Sequence, residues 1–246
     1  MEDRNIVTEI ERIVKENRIG SVVEIKGRTY LIEEDGAREI EDKEYLLNDK
    51  IELTDLKSFC EIIKEEIHKI GTKLFIQVVD HKTVKAFTTL DHKNRRCLPY
   101  VCVCGGSRAN FDTFSGYEEF VINLRANFVP TDDATDVIKM IANIVNCDNQ
   151  EMTDDGVSQS VRTQRGTQIG TKEVKSIIKL APFRTFPEVA QPTSEFLFRI
   201  KDNGTRFGLF EADGGRWKLE AKNNIAEFIK NEFENFVEKD QVKVLL

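Results

Sequence analysis

Apolar residues fall at helical spacing in several stretches and at period two in most of the rest. Ile6, Ile10, Ile13 and Val14 share one face of residues 5–17, with Glu and Arg between them, which predicts an amphipathic helix. Residues 21–32 read as a hairpin turning near Gly27. Residues 33–52 are charge-rich and read as a loop with room for one short strand. Leu56, Phe59, Cys60, Ile63 and Ile67 then mark a helix, capped by Thr54 and ended by Gly71.

Three alternating runs follow at 73–79, 83–90 and 97–104, joined by polar turns, and predict an antiparallel meander. Phe120, Val121 and Leu124 place a helix over 117–128. Pro130 ends it, and Thr131 caps a second helix through Val137, Ile141 and Ile144. Residues 157–164 and 173–180 alternate around Gly166 to Gly170 and read as a long hairpin. Pro182, Pro187 and Pro192 make 182–192 extended and unfit for a central strand. A further hairpin spans 195–201 and 206–211, and a helix over 218–238 closes the chain. The fold class expected is α+β: antiparallel hairpins and a meander with flanking helices and a C-terminal closing helix. The pattern shifts near 149–156. The expected division is therefore 1–148 and 149–246, or one continuous domain.

Composition narrows the function classes. Hydrophobic residues make up 40% of the 246 positions and charged residues 32%, which suits a packed core with a solvated surface. No apolar run approaches the length of a membrane span, so no membrane partner is expected. The charged N-terminus does not read as a signal peptide. Five cysteines without framework spacing point to reduced thiols and a cytoplasmic location. Residues 157–184 carry six cations (Arg162, Arg165, Lys172, Lys175, Lys179 and Arg184) and one anion, Glu173, in a chain of net charge −7. That reversal of sign is the footprint a phosphate-bearing ligand would use. Arg162, Arg165, Lys172, Lys175 and Lys179 are the expected phosphate contacts, with Phe183 or Phe186 stacking a base.

Catalytic patterns are weaker. Asp-His-Lys occurs at 80–82 and again at 91–93. A metal-dependent hydrolase using Asp80, His81, Asp91 and His92 would need the two turns to meet, and a strand of eight residues holds them about 25 Å apart. Turn residues are the simpler reading. Cys102 and Cys104 share a strand face, but no second Cys or His pair gives structural zinc spacing. Gly166 to Gly170 lacks the Gly-Lys-Ser/Thr and following helix of a phosphate loop. No metal, cofactor or catalytic residue is expected.

The run VKSIIKLAPFRTFPEVAQPTSEFLFRIK, followed by GTRFGLFEAD and a closing helix, resembles YfdQ-like phage and prophage proteins, a family of unknown function. The likeness is to an order of elements over about residues 75–235: a long strand, a proline-bounded extended stretch, a hairpin rich in Arg and Phe, and a helix. It implies a phage accessory protein in the cytoplasm of the infected bacterium. It brings no catalytic residue. Two functions are therefore expected. One is a non-enzymatic protein that binds nucleic acid or a nucleotide signal of host immunity. The other is a protein-interaction module, acting in counter-defence on a host protein or as a homo-oligomer. Its candidate surface is the acidic stretch 1–71, net −7.

Overall fold

Lys26 and Gly27 adopt left-handed backbone, with φ of 52° and 76°, as a two-residue hairpin turn requires. They join β1 (Val22–Ile25) to β2 (Arg28–Glu33), and β3 (Gly36–Glu39) adds a third antiparallel strand. Ile25, Tyr30 and Ile32 face Ile13 in a small core. The computed structural model of the protein describes residues 8, 10–13, 16, 20–34, 36–40, 50–90, 94, 96–97, 99–146, 149–154, 159–165 and 168–246. Within these, 149–154, 163–165 and 168–173 are described by backbone alone. Contacts divide the chain into residues 1–47, which hold this meander, and residues 48–246.

The larger unit contains three further sheets, two of them covered by helices. In the first, β4 (Ile51–Leu53), β5 (Leu74–Val78), β6 (Thr83–Thr88), β7 (Tyr100–Val103) and β15 (Val242–Leu245) lie in the order β15-β5-β6-β7-β4. The expected meander is its centre, β5-β6-β7. Both edges pair parallel, β15 with β5 and β4 with β7. Strand β15 was not foreseen, because four residues after a helix are too few for a periodic signal. Helix α1 (Leu56–Ile70) packs on one face through Phe59, Ile63 and Ile67. Asp55, and not Thr54, caps it: the Asp55 carboxylate accepts from the Ser58 amide at 2.7 Å. Glu188, remote in sequence, accepts from the Leu56 amide at 2.7 Å. Gly71 ends the helix with φ of 63°, as expected.

The second sheet has the order β12-β13-β14-β8, built from β8 (Phe114–Gly116), β12 (Ile177–Leu180), β13 (Ser194–Lys201) and β14 (Arg206–Glu211). Helices α2 (Tyr117–Asn127) and α3 (Asp132–Val145) cover one face, burying Phe120, Leu124, Val137 and Ile141 against Phe196, Phe198 and Phe207. Thr131 caps α3 as expected, accepting from the Ala134 amide. Strands β9 (Asn149–Asp154), β10 (Gln159–Arg165) and β11 (Gln168–Val174) form a separate antiparallel sheet. Gln159 joins it to the second sheet. Its side-chain amide accepts from the Ile200 amide at 3.1 Å and donates to the Ile200 carbonyl at 3.3 Å, beyond the end of β12. The boundary expected near 149–156 therefore separates no cores: Val161 and Val174 pack with Val137 and Ile141.

The expected hairpin 157–180 is corrected in register. Arg165 pairs with Gln168, and residues 168–170, expected in the loop, are strand. Strand 173–180 is interrupted at Lys175 and Ser176, and β12 crosses to the second sheet. The closing helix is two, α4 (Trp217–Glu232) and α5 (Glu234–Glu238). Ile225, Ala226 and Ile229 of α4 complete the first core.

Residues 181–193 run without strand pairing beyond one bridge, Phe128 to Pro182, as their prolines predict. They contribute to the first core. Phe186 and Val189 enter the first, and Leu180 before them belongs to the second. Gln191 holds the turn by accepting from the Arg184 and Thr185 amides at 3.0 and 3.2 Å and donating to the Phe186 carbonyl at 2.9 Å. Arg184 is 3% exposed. Its Nη1 donates to Glu211 at 2.6 Å, its Nη2 to the Ser194 hydroxyl, and its guanidinium lies 3.6 Å from the Trp217 ring centroid. The Ser194 hydroxyl in turn donates a hydrogen bond to Asp213 at 2.5 Å. Burial pulls the Arg184 pKa below its ordinary value, and Glu211 opposes that shift.

Removing one partner of a buried ion pair leaves an unpaired charge. Arg184→Met is therefore expected to cost about 3–5 kcal/mol of stability in urea unfolding. Adding Glu211→Leu to that variant should recover part of the loss. A double variant no more stable than Arg184→Met would refute the pairing.

Candidate functional site

Of the six cations of residues 157–184, the four whose side chains are described, Arg162, Lys175, Lys179 and Arg184, do not gather on one surface. Arg184 is internal, spent on Glu211 and Trp217. Lys175 pairs with Asp133 in the first turn of α3 at 2.6 Å. The same carboxylate accepts from the Lys179 amide at 2.8 Å, and these contacts, Lys175 first, hold Asp133 below the usual carboxylate range. Arg162 is exposed on β10. Lys172 stands opposite Val161 in register and Arg165 opposite Gln168, but both side chains lie outside the described residues. Phe183 is 45% exposed, whereas Phe186 is fully buried in the first core. The Phe186 ring has no face to offer a base, which corrects that expectation.

What does converge is the outer face of the second sheet. Cross-strand partners share a face, so the register lists its side chains in rows. Ile177, Leu197 and Phe210 form one row. Arg199, Gly208 and Phe114 form the next, and Lys201, Arg206 and Gly116 the third. Lys179 and Glu195 pair at the far end, with Nζ 3.9 Å from the carboxylate. Among the described strand residues this face thus carries four cations, Lys179, Arg199, Lys201 and Arg206, against Glu195, and the exposed Asp112 at the β14 edge accepts from the Glu211 amide at 3.2 Å. Its side chains are exposed or half-exposed, while the alternate residues Phe196, Phe198, Ile200, Phe207 and Leu209 are buried under the helices.

Two aromatic rings sit among these cations. Phe114 and Phe210 approach to 5.1 Å between centroids, inclined at 56°. Lys201 Nζ lies 4.3 Å from the Phe114 centroid, a cation–π contact. Arg206 donates to the Phe114 carbonyl at 2.7 Å, and Arg199 to the Ser176 hydroxyl at 3.4 Å. Gly208 makes the pair of rings possible. A Cβ there would stand 2.9 Å from the Phe210 ring and 3.0 Å from the Phe114 ring.

Sequence reasoning missed Arg199, Lys201, Arg206, Phe114 and Phe210 as a group. The signal lay in the period of two within SEFLFRIK and RFGLFE, whose aromatic inner positions leave the cations on the opposite side. Nearby, a cleft of about 370 Å³ is lined by Lys179, Ser194, Glu195, Asp213, Arg216 and Trp217. Its charges are of both signs, whereas those of the sheet face are mainly positive.

Of the second candidate set, Asp80 and His81 lie among the described residues. His81 packs its ring edge-on against Trp217 at 4.6 Å, and its backbone carbonyl accepts from the Thr185 hydroxyl. Asp91 and His92 lie outside the described residues. No group of three or more His, Cys, Asp or Glu able to hold a metal occurs among the described residues. No family model matches the chain, and no curated protein or solved structure matches it.

Two measurements check this geometry. Gly208→Val forces the two rings apart and is expected to lower stability by about 1–3 kcal/mol, the usual cost of overpacking. Unchanged urea unfolding would contradict the close approach. Burial raises the Cys60 and Cys102 thiols to about 12. In native protein at pH 8 their thiolate fraction is then about 10⁻⁴, and a thiol reagent should modify both only on unfolding. Residue-resolved mass spectrometry reads the order, and early labelling of either would refute their burial.

Proposed function

We propose that the protein is a non-enzymatic binder of a phosphate-bearing ligand, single-stranded nucleic acid, on the outer face of the sheet β12-β13-β14-β8. The observation that carries this reading is the set of four cations around two adjacent phenylalanine rings on one sheet face. An unpaired strand offers bases to stack and phosphates at regular spacing, and both needs are met by a basic face with aromatic rings. Phe114 and Phe210 take bases. Lys179, Arg199, Lys201 and Arg206 take phosphate oxygens, with the arginines able to grip two oxygens at once. The chain as a whole is net −7, which disfavours indiscriminate binding of nucleic acid, so binding is local and sensitive to salt.

Fluorescence anisotropy with a labelled single-stranded oligonucleotide tests the reading. Each phosphate contact contributes about −0.7 to the slope of log K against log salt, so a strand gripped by all four cations gives a slope near −3. Lys201→Ala should weaken binding and bring the slope nearer zero by about 0.7. Phe114→Leu should cost about 1–3 kcal/mol of affinity by loss of stacking. Competition by a cyclic dinucleotide at equal phosphate concentration would instead assign the face to a nucleotide signal. Binding that is absent at low salt, or unchanged by Lys201→Ala and Phe114→Leu, would refute the proposal.

A further inference from the structure

The first sheet also turns one face away from its helices. On it Phe75 and Phe87 are direct cross-strand partners, with ring centroids 5.6 Å apart. Arg96 lays its guanidinium over both rings, at 5.8 Å from Phe75 and 5.4 Å from Phe87. These side chains, with Lys85, Cys97 and Leu245, line a cavity of about 570 Å³. Lys243 stands opposite Phe75 in the neighbouring strand, and Lys85 lies two residues before Phe87 on the same face. No carboxylate is among the described residues lining the cavity.

We infer that this cavity is a binding site for a mononucleotide. Its volume falls within the range of small-ligand pockets, roughly 300–1,000 Å³. The floor of two phenylalanine rings and Leu245 receives a planar, weakly polar ring. The Arg96 guanidinium is planar and stacks on a base as it does on the phenylalanines. Three cations, Lys85, Arg96 and Lys243, surround that floor, and Arg96 holds the Thr88 carbonyl only at 3.5 Å, the long limit of a hydrogen bond. A purely apolar occupant would leave these charges desolvated without a partner, which disfavours a greasy side chain or acyl group. A base joined to a phosphate satisfies ring and charge together. The site is independent of the face proposed above: it lies on another sheet and shares none of its residues.

Calorimetric titration of the full chain with adenosine monophosphate tests the inference, with adenosine and ribose 5-phosphate as the two half-ligands. The monophosphate should bind saturably, and each half-ligand at least about tenfold more weakly, the loss of roughly one charge-assisted hydrogen bond or one stack. Lys85→Glu and Arg96→Ala, both at accessible positions, should each weaken the monophosphate by about tenfold or more. Their melting curves show whether the fold is retained. Arg206→Glu, on the other sheet, should leave monophosphate affinity within about twofold. Absence of saturable binding at millimolar concentration, equal affinity for ribose 5-phosphate, or indifference to Lys85→Glu would overturn the site. Loss on Arg206→Glu alone would move the monophosphate to the other face. Oligonucleotide binding that survives Lys85→Glu would leave the earlier proposal standing whatever this site does.

Discussion

A single buried guanidinium fixes how the two large sheets are joined. Arg184 sits in the proline segment between β12 and β13, and its three partners come from three elements: Glu211 ends β14, Ser194 opens β13, and Trp217 opens α4. A charge removed from water to this degree needs an opposite charge and hydrogen-bond acceptors beside it. Glu211 and Ser194 supply these to the two Nη atoms and Trp217 covers the guanidinium face, while Nε has no hydrogen-bond partner. The geometry then dictates the path of residues 181–193, which carry Phe186 and Val189 into the first core and Glu188 to the N-terminus of α1. Ser194 extends the network to Asp213, which in turn accepts from the Gly215 amide and shapes the turn into α4. The same residue type that suggests a ligand contact in sequence thus acts here as a rivet.

Segregation of charge across the second sheet follows from strand register. With Phe196, Phe198 and Ile200 committed to the core, Arg199 and Lys201 have only the other face. One residue of slippage would bury both cations and expose the phenylalanines, so packing and surface charge are specified by one constraint. Gln159 guards that register by pairing with both backbone groups of Ile200 where β12 gives no partner. Lys175 and Lys179, prominent in composition, are drawn toward Asp133 and Glu195.

Much of the fold was legible because it is local. The turn at Gly27, the caps at Thr131 and Gly71, the β5-β6-β7 meander and the β13-β14 hairpin all rest on residues close in sequence. What was illegible rests on distant partners. Glu188 caps a helix 132 residues away, and β15 adds parallel to β5 from the far end of the unit. The interruption at Lys175 and Ser176 was hidden because residues on both sides alternate correctly, so period alone cannot reveal a change of sheet. The candidate face was half legible. Each hairpin showed its alternation, but Phe114 joins through β8, three residues with no periodic signature, and only the pairing of Phe114 with Gly208 brings it beside Phe210.

The parallel edge formed by β15 sets an order of events during synthesis. Strand β5 is made early, yet its outer neighbour comes from residues 242–245, and the core beneath it awaits Phe186, Val189 and Ile225. At about 5–20 residues per second the ribosome needs some 10–30 s to deliver that last strand. Through that interval the nascent chain presents β5 as a bare edge beside two half-exposed phenylalanines, Phe75 and Phe87. A nascent-chain chaperone or a neighbouring polypeptide meets this surface before the protein's own C-terminal strand does. Until residues 242–245 are made, the outer edge of β5 therefore has no partner from its own chain.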